Sequence, residues 1–575
     1  MGTAKQVRRS AVGATDLSGR DVLRSSVTGQ RRDVAIGSLL GAGHQAGEAL
    51  VPVLIGVVID QGVAKSDTGG LLLGIAALAV VYVGLSFSFR FGARAGERAA
   101  ETAAHRLRTR LVGRILAPEG GADSGRLPGE LTNIATEDAK RVGAVNMAVI
   151  VAVAAMTGLL VSAVVLVRIS VLLGLVVLLG TPLLLWLGHL LSKPLERRSE
   201  AEQERAAQAS GIAADLVAGL RVLKGIGAES AAVARYRQTS SESLSATLRA
   251  ARARAWQNGI VLALTGVFIA LVALVGGRLA TQGDISLGEL VSAVGLALFL
   301  LGPLSEFSWI NSELAQGRAS ATRIAGVLGA DGAVLPGAGR LPQPVRGAVR
   351  LRGVSYGTLR DLDLDIAPGD LVGVVATDSA DATALLLCLA RRSDPDSGSV
   401  ELDGVPLTTL DPADVRTAIL VAEHDADLFE GTLTGNVRAA APPEHDIGPA
   451  LAASGADEVA GTLPQGGDTI VTERGRSLSG GQRQRVALAR ALAADTPVLV
   501  VHDPATAVDA VTEARIAAGL RDIRRDRTTV LVTTSPALLS VTDRVVLIED
   551  GRVAGCAAHA ELVRDRISYR SAVLS

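Results

Sequence analysis

Cysteine is nearly absent from this sequence, with only Cys388 and Cys556 among 575 residues. The two are far apart and lack metal-ligand spacing, which excludes a disulfide framework and a zinc site and leaves two reduced thiols. Aromatic side chains are also scarce, at 2%. Any substrate cavity would therefore be walled by Ala, Val, Leu and Gly, a weak fit to an amphipathic or apolar compound. The net charge of −1 lacks the basic excess of a general nucleic-acid binder, so no nucleic-acid partner is expected. Residues 1–33 hold no apolar run, which argues against a cleavable signal peptide. Gln6 stands where an N-myristoylation motif needs Ser or Thr.

What the chain has in abundance is apolar sequence: 48% of residues, with a mean hydropathy of +0.36. Its length calls for more than one domain. Six segments, at about 34–59, 71–93, 143–167, 169–192, 257–280 and 287–311, each supply the ~20 apolar residues that cross a bilayer core about 30 Å thick. The segments between the second and third spans and between the fourth and fifth are rich in Arg and Lys, from Arg94 to Arg141 and from Lys193 to Arg254. The loops after the first, third and fifth spans hold only Lys65, Arg168 and Arg278. Positive charge marks the inner side, so both termini and both long loops are expected in the cytosol of an integral membrane protein, in a bacterial plasma membrane. Residues 195–210 and 229–255 are charged helix formers without proline, which predicts helices reaching well beyond the membrane to tips at 127–143 and 215–229.

Ionisable residues within spans are costly and usually face a cavity or a partner group. His44 and Glu48 lie four apart on one face of the first span and are candidates for lining a substrate cavity. Satisfaction of these side chains by one another or by a neighbouring backbone group is the alternative. Glu306 lies near the cytosolic end of the sixth span.

After residue 328 the composition shifts. Residues 329–350 form a Gly- and Pro-rich linker, followed by strand-like and turn-like segments of an α/β domain. The run LSGGQRQRVALARAL at 478–492 places Ser479, Gly480 and Gly481 at a helix N-terminus. Free N–H groups and the helix dipole favour a phosphate there, and glycine lets the backbone come close.

That run resembles the signature sequence of ABC proteins, and the resemblance covers essentially the whole chain; the tips at 127–143 and 215–229 resemble the two coupling segments of exporter-type ABC transporters. It implies an N-terminal cytosolic elbow (1–33), a six-helix all-α transmembrane domain (34–328), the linker, and an α/β P-loop-type ABC nucleotide-binding domain (351–575). In that family two nucleotide-binding domains face head to tail. Each ATP, with Mg²⁺, is clamped between the phosphate loop of one domain and the signature of the other.

Set against that family's pattern, residues 369–404 align with the phosphate-loop region, which should read G-x-x-x-x-G-K-[ST]. Here the glycines are replaced by Ala376, Ser379 and Asp381 and the lysine by Ala382; Thr383 keeps the last position and could offer a hydroxyl to Mg²⁺, but Ala384 follows where the family has Thr. Losing the ammonium removes charge-assisted phosphate contacts. Asp381 is expected to put a carboxylate where the phosphate should lie. His502 replaces the Mg²⁺-binding aspartate, and Asp503, one methylene short, replaces the glutamate that positions water, leaving it a weak catalytic candidate. Thr534 stands at the switch histidine, His424 at the Q-loop glutamine, and Tyr356 is the candidate adenine-stacking aromatic.

The groups that serve the opposite site look intact: Ser479, Gly480, Gly481 and Gln482, the D-loop-like Thr506, Ala507, Val508 and Asp509, and Thr472 to Gly475. Selective loss of this kind fits one half of a heterodimeric ATP-driven transporter. Its own ATP site would be inactive, and it would lend Ser479–Gln482 and Asp509 to a second half-transporter with an intact phosphate loop. The expected partners are that subunit, membrane lipid, and a small-molecule or peptide substrate. A non-catalytic membrane receptor or regulatory subunit, and an exporter-shaped importer, are the alternatives.

Overall fold

The computed structural model describes residues 17–424 and 427–574, with only the helical backbone described at 189, 191–200 and 221. Residues 1–16 of the expected elbow, and the side chains at 195–200 in the charged stretch, lie outside the described residues. The chain divides into two compact units, one built from Met1–Val112 and Arg126–Gly329, the other from Gly113–Gly125 and Ala330–Ser575.

The first unit is helical. A short helix, α1 (Gly19–Thr28), starts at a capping box in which the Ser18 hydroxyl accepts from the Asp21 N–H and the Asp21 carboxylate accepts from the Ser18 N–H. Six helices long and apolar enough to cross a membrane follow among the described residues, as expected. They comprise α2 (Arg31–Val58), α3 (Thr68–Ile115), α4 (Pro128–Asn133) running through a π-turn into α5 (Ala139–Ile169), and α6 (Val171–Ala218). After α7 (Leu220–Ile226) come α8 (Glu229–Gln282) and the pair α9 (Leu287–Phe299) and α10 (Leu301–Leu328). Ser170 alone separates α5 from α6, taking an extended conformation and accepting from the Leu173 N–H. The sixth span is broken once, at Leu300.

Small residues let these helices approach. Gly143 and Gly317 each pack where an added Cβ would meet a neighbour, the Ala100 carbonyl at 2.4 Å and Val145 Cγ2 at 2.3 Å. The carboxylates of Asp138 and Asp60 are paired across helices. Asp138 is buried and accepts from the Ser320 hydroxyl at 2.8 Å and from the Arg323 guanidinium at 2.7 Å, tying the start of the third span to the end of the sixth. Asp60 accepts from the Gly288 N–H at 2.8 Å and from the Ser286 hydroxyl, joining the other end of the first span to the start of the sixth. The second span buries little of its apolar surface; Leu72, Leu73 and Val80 are exposed, as on a lipid-facing helix.

The second unit is α/β. A four-stranded antiparallel sheet contains β1 (Val349–Tyr356), β2 (Leu359–Ile366), β4 (Ser397–Leu402) and β5 (Val405–Pro406). A six-stranded sheet is ordered β12-β11-β3-β10-β9-β6. Its parallel strands are β3 (Leu371–Ala376), β6 (Ile419–Ala422), β9 (Val498–His502), β10 (Thr528–Val532) and β11 (Arg544–Glu549), with β12 (Arg552–Ala557) antiparallel at one edge. Side chains alternate across this sheet. Val498, Val500, Val530 and Val532 enter one core, and Leu499, Val501 and Leu531 the other.

Cys388 sits in the first of these cores, and burial beside Asp394 and Asp396 pushes its thiol up to about 12. A buried thiol held in its protonated form is a poor nucleophile at neutral pH. Cys556 is free and exposed.

Of residues 329–350, expected as a linker, 330–348 carry no helix or strand, yet their main chain is tied down, and 349 and 350 open β1. Gly337 N–H donates to the Leu410 carbonyl at 2.8 Å and Gly339 N–H to the Thr409 carbonyl at 2.7 Å. The segment joining α3 to α4 also differs from expectation. Residues 113–125 belong to the α/β unit, while the expected tip at 127–143 is helical and belongs to the membrane unit. Gly120 and Gly121, both at positive φ, turn the chain there, and the Arg416 guanidinium donates to the Pro118 carbonyl at 2.7 Å.

Candidate functional site

In a parallel sheet ligands gather at the carboxyl ends of the strands. Here those ends bring Ala376 of β3, His424 just past β6, His502 of β9 with Asp503 just past it, and Thr534 past β10 to one edge. The loop leaving β3 leads directly into a helix, α11 (Ser379–Leu389). Asp378 is its N-cap: the carboxylate accepts from the Ala380 N–H at 2.8 Å, and the Asp378 carbonyl accepts from Asp381 N–H at 3.1 Å and Ala382 N–H at 3.5 Å. The backbone donors that would cradle a phosphate are thus closed back on Asp378. Thr383 is exposed, but its hydroxyl donates to the Ser379 carbonyl of its own helix at 2.9 Å.

The place of Asp381 corrects the expectation for it. Its carboxylate does not lie in the phosphate position. It is buried and accepts from the Gly551 N–H at 3.0 Å, on the turn joining β11 to β12. Position in a motif does not fix side-chain direction, and a buried acid turns toward the donor that satisfies it. Ala382 and Ala384 are also buried, on the core side of α11.

Around His502 the groups are close but poorly suited to a cation. The His502 and His424 rings meet edge-on with centroids 5.6 Å apart, and His502 Nε2 lies 3.7 Å from the Asp503 carboxylate. A cavity of about 340 Å³ is lined there by Thr383, Arg392, Glu423, His424 and His502, with Arg392 paired to Glu423 at 2.7 Å. Tyr356 ends β1 half-buried against the core, and its hydroxyl donates to Ser393 at 2.9 Å.

The signature end is built differently. Helix α16 (Gly480–Ala493) starts at a neutral capping box: the Ser479 hydroxyl accepts from the Gln482 N–H at 3.3 Å, and the Gln482 side chain accepts from the Ser479 N–H at 2.8 Å. Ser479 is exposed, so this end faces solvent. A Cβ on Gly481 would lie 2.4 Å from the Ala507 carbonyl oxygen, so only glycine allows that approach.

Gln484, which the motif pattern does not single out, fixes the neighbouring loop by donating to the Thr506 hydroxyl at 2.7 Å and accepting from the Ala507 N–H at 2.9 Å. Asp509 caps α17 (Ala510–Ile523), accepting from the N–H groups of Val511 and Thr512 at 3.0 Å each. Hydrogen bonds from Thr512, backbone first and hydroxyl second, hold its carboxyl below the usual range.

In the membrane unit, His44 and Glu48 line a cavity of about 220 Å³ together with Gln45 and Glu306, which come from the first and sixth spans. His44 Nδ1 donates to the Leu85 carbonyl at 3.0 Å, and its Nε2 lies 3.7 Å from Glu48. The hydropathy pattern marks Glu306 only as a charge within a span; its meeting with His44 needs the packed helices.

Two family models match the chain, one describing an ABC transporter transmembrane region at residues 34–304 and one an ABC transporter domain at 359–506. An ATP-dependent lipid A-core flippase of Thiobacillus denitrificans is 30% identical over 400 residues, covering 68% of this chain and 69% of the flippase. The flippase of Burkholderia thailandensis is 28% identical, covering 66% of each chain. A multidrug efflux ATP-binding/permease protein of Mycobacterium bovis is 31% identical over 69% of this chain, but over only 34% of its own length. The chain belongs to the ABC transporter family.

This ABC transporter chain is of the exporter-type half-transporter form, with a transmembrane region fused to one nucleotide-binding domain of the family that uses ATP and Mg²⁺. The donors around its own phosphate loop match Mg²⁺ poorly. Thr383 is bonded within its helix, and His502 offers nitrogen to an ion that prefers oxygen. Among the described residues, no group of three or more His, Cys, Asp or Glu is arranged to hold a metal ion.

Proposed function

We propose that this chain is the degenerate half of a heterodimeric ATP-driven transporter. Its phosphate loop would be inactive, and its signature would complete an ATP site on a partner with a working phosphate loop. The observation that carries this reading is the contrast between two helix starts. The N-terminus of α11 is capped by a carboxylate, while that of α16 is capped by a neutral hydroxyl and amide in front of two glycines.

In the complex the partner would supply the phosphate loop, the Mg²⁺ ligands and the catalytic glutamate. In this chain the Ser479 hydroxyl and the N–H groups of Gly480 and Gly481 would present neutral donors at the dipole end of α16 to the terminal phosphate, with Gln482 holding the cap. Phosphoryl transfer to water depends mainly on such positioning and charge stabilisation. Asp509 would act through the helix it caps, α17. Closure of the two nucleotide-binding domains would then pass to the spans through 113–125 and the turn around α7, where Val217, Leu220, Val222 and Ile226 are exposed and unaccompanied in this chain. The names of the flippase and efflux relatives support an amphipathic cargo.

The test is ATPase activity of the purified chain with and without its partner. Negligible turnover alone and robust turnover in the complex is the expected pair. Robust turnover by the isolated chain would refute the reading.

A further inference from the structure

The acidic cavity of the membrane unit contains more unsatisfied acceptor capacity than its own residues can use. Gln45 is 8% exposed, and its carbonyl oxygen is buried without a hydrogen-bond partner. Glu306 Oε2 is likewise buried and unpartnered. Both residues line the same cavity as Glu48 and His44. Buried acceptors without donors are costly and usually mark a missing partner. His44 cannot serve both, because its Nδ1–H is committed to the Leu85 carbonyl and its Nε2 faces Glu48 at 3.7 Å. Two carboxylates against one imidazole leave the site short of positive charge. What is missing is therefore a cation that carries N–H donors.

We propose that this cavity binds the primary or secondary ammonium head of the transported molecule. The proposal names the substrate class of the transport reading above and rests on it. A primary ammonium carries three N–H donors, one each for Glu306 Oε2, the Gln45 oxygen and Glu48, and a secondary ammonium carries two, whereas a quaternary ammonium has none. The Phe89 ring lies 5.4 Å from the His44 ring and offers an aromatic face beside the head. Gly41, Gly92, Met147 and Ile150 give apolar walls for the first carbons of a stem. At about 220 Å³ the cavity is smaller than the roughly 300 Å³ at which pockets for whole small molecules begin, so it fits a head and not a whole ligand. A phosphate headgroup, by contrast, would meet two carboxylates and no free cation among the described lining residues.

The experiment is a fluorescence titration of the full chain in phosphatidylcholine nanodiscs, without nucleotide, using dansylcadaverine as the probe. Its N,N,N-trimethyl and N-acetyl analogues serve as controls of equal shape. The free amine should bind saturably and the trimethyl analogue about tenfold more weakly, with no saturable binding of the acetyl analogue. Glu306→Gln should weaken the amine by about tenfold or more, and Glu48→Gln should do so to a lesser degree. If Glu306→Gln fails to fold, the three probes on the native chain still decide.

Equal binding of all three probes, or undiminished amine binding by both variants, would overturn the proposal. Because the titration needs neither ATP nor a partner, its failure removes the ammonium site alone. Loss of the partner-dependent ATPase would remove the motor reading and leave the ammonium result standing.

Discussion

Helices α11 and α16 both begin within the nucleotide-binding unit, each with a side chain capping its first turn, yet they present opposite environments to an anion. At α11 the cap is Asp378, and the N–H groups of residues 380, 381 and 382 all point back to it. At α16 the cap is a hydroxyl paired with an amide, in front of two glycines. Any helix start can attract an anion through its dipole. What decides the outcome is whether a carboxylate already fills that role. A phosphate about 4 Å from one unit of negative charge is repelled by about 4 kcal/mol at an effective dielectric of roughly 20.

The most direct way to break the comparison is to give α16 the acid that α11 has. Gly480→Asp has the space, since a Cβ at this position meets Ala507 Cβ at an ordinary 3.5 Å. Its carboxylate would face the phosphate in the complex, and ATPase activity should fall by about two to three orders of magnitude. An unchanged melting temperature would show that the loss is electrostatic. Activity within about tenfold of the native complex would mean that the α16 start does not meet phosphate.

The reverse change should have a far smaller effect. Ala382→Lys restores the ammonium but leaves the donors closed on Asp378 and Asp381 bonded to Gly551. Nucleotide binding by the isolated chain, read with a fluorescent ATP analogue, should therefore stay within about twofold of its native value, below a shift of 1 kcal/mol. The triple change Asp378→Ser, Asp381→Gly and Ala382→Lys should gain more than the single one, because it reopens the loop as well as recharging it. A full gain from Ala382→Lys alone would show that the closed loop is no obstacle.

A third, smaller effect concerns stability. Asp378→Ala removes the α11 cap and should destabilise the nucleotide-binding unit by about 1 kcal/mol, seen as a lower denaturation midpoint. Asp378→Asn should recover most of that loss.

These contrasts were unequally legible in the sequence. The six spans follow from runs of apolar residues, a signal that needs no tertiary information. The α16 start is also local, since Ser479, two glycines and Gln482 spell a cap within four positions. The closure of α11 is half-local: Asp378 before a helix-forming run is a cap signal, but alignment to a glycine-rich motif hides it. The burial of Asp381 cannot be read at all, because its donor, Gly551, lies 170 residues away. The gathering of Gln45, Glu48 and Glu306 in one cavity depends likewise on how the first and sixth spans pack.

Asp509 gives the finest test, because it caps a helix on the signature side with a carboxylate, as Asp378 does on the other. Its N–H donors are Val511 and Thr512, and the Thr512 hydroxyl adds a third bond at 2.8 Å. These bonds favour the charged form and hold the folded carboxyl below its ordinary value. The stabilisation is therefore fully present above the unfolded value near ~3.9 and fades as pH falls through the lower folded value. Asp509→Asn keeps a competent cap and removes only the charge. Amide exchange of Val511 and Thr512 should be slower in the native chain than in the variant at neutral pH. The ratio of the two rates should shrink toward one as the pH drops below about 4, since the intrinsic pH dependence of exchange cancels in the ratio. A ratio that stays constant across that window would show that Asp509 acts through hydrogen bonds alone, and that charge at the cap matters at α11 but not at α17.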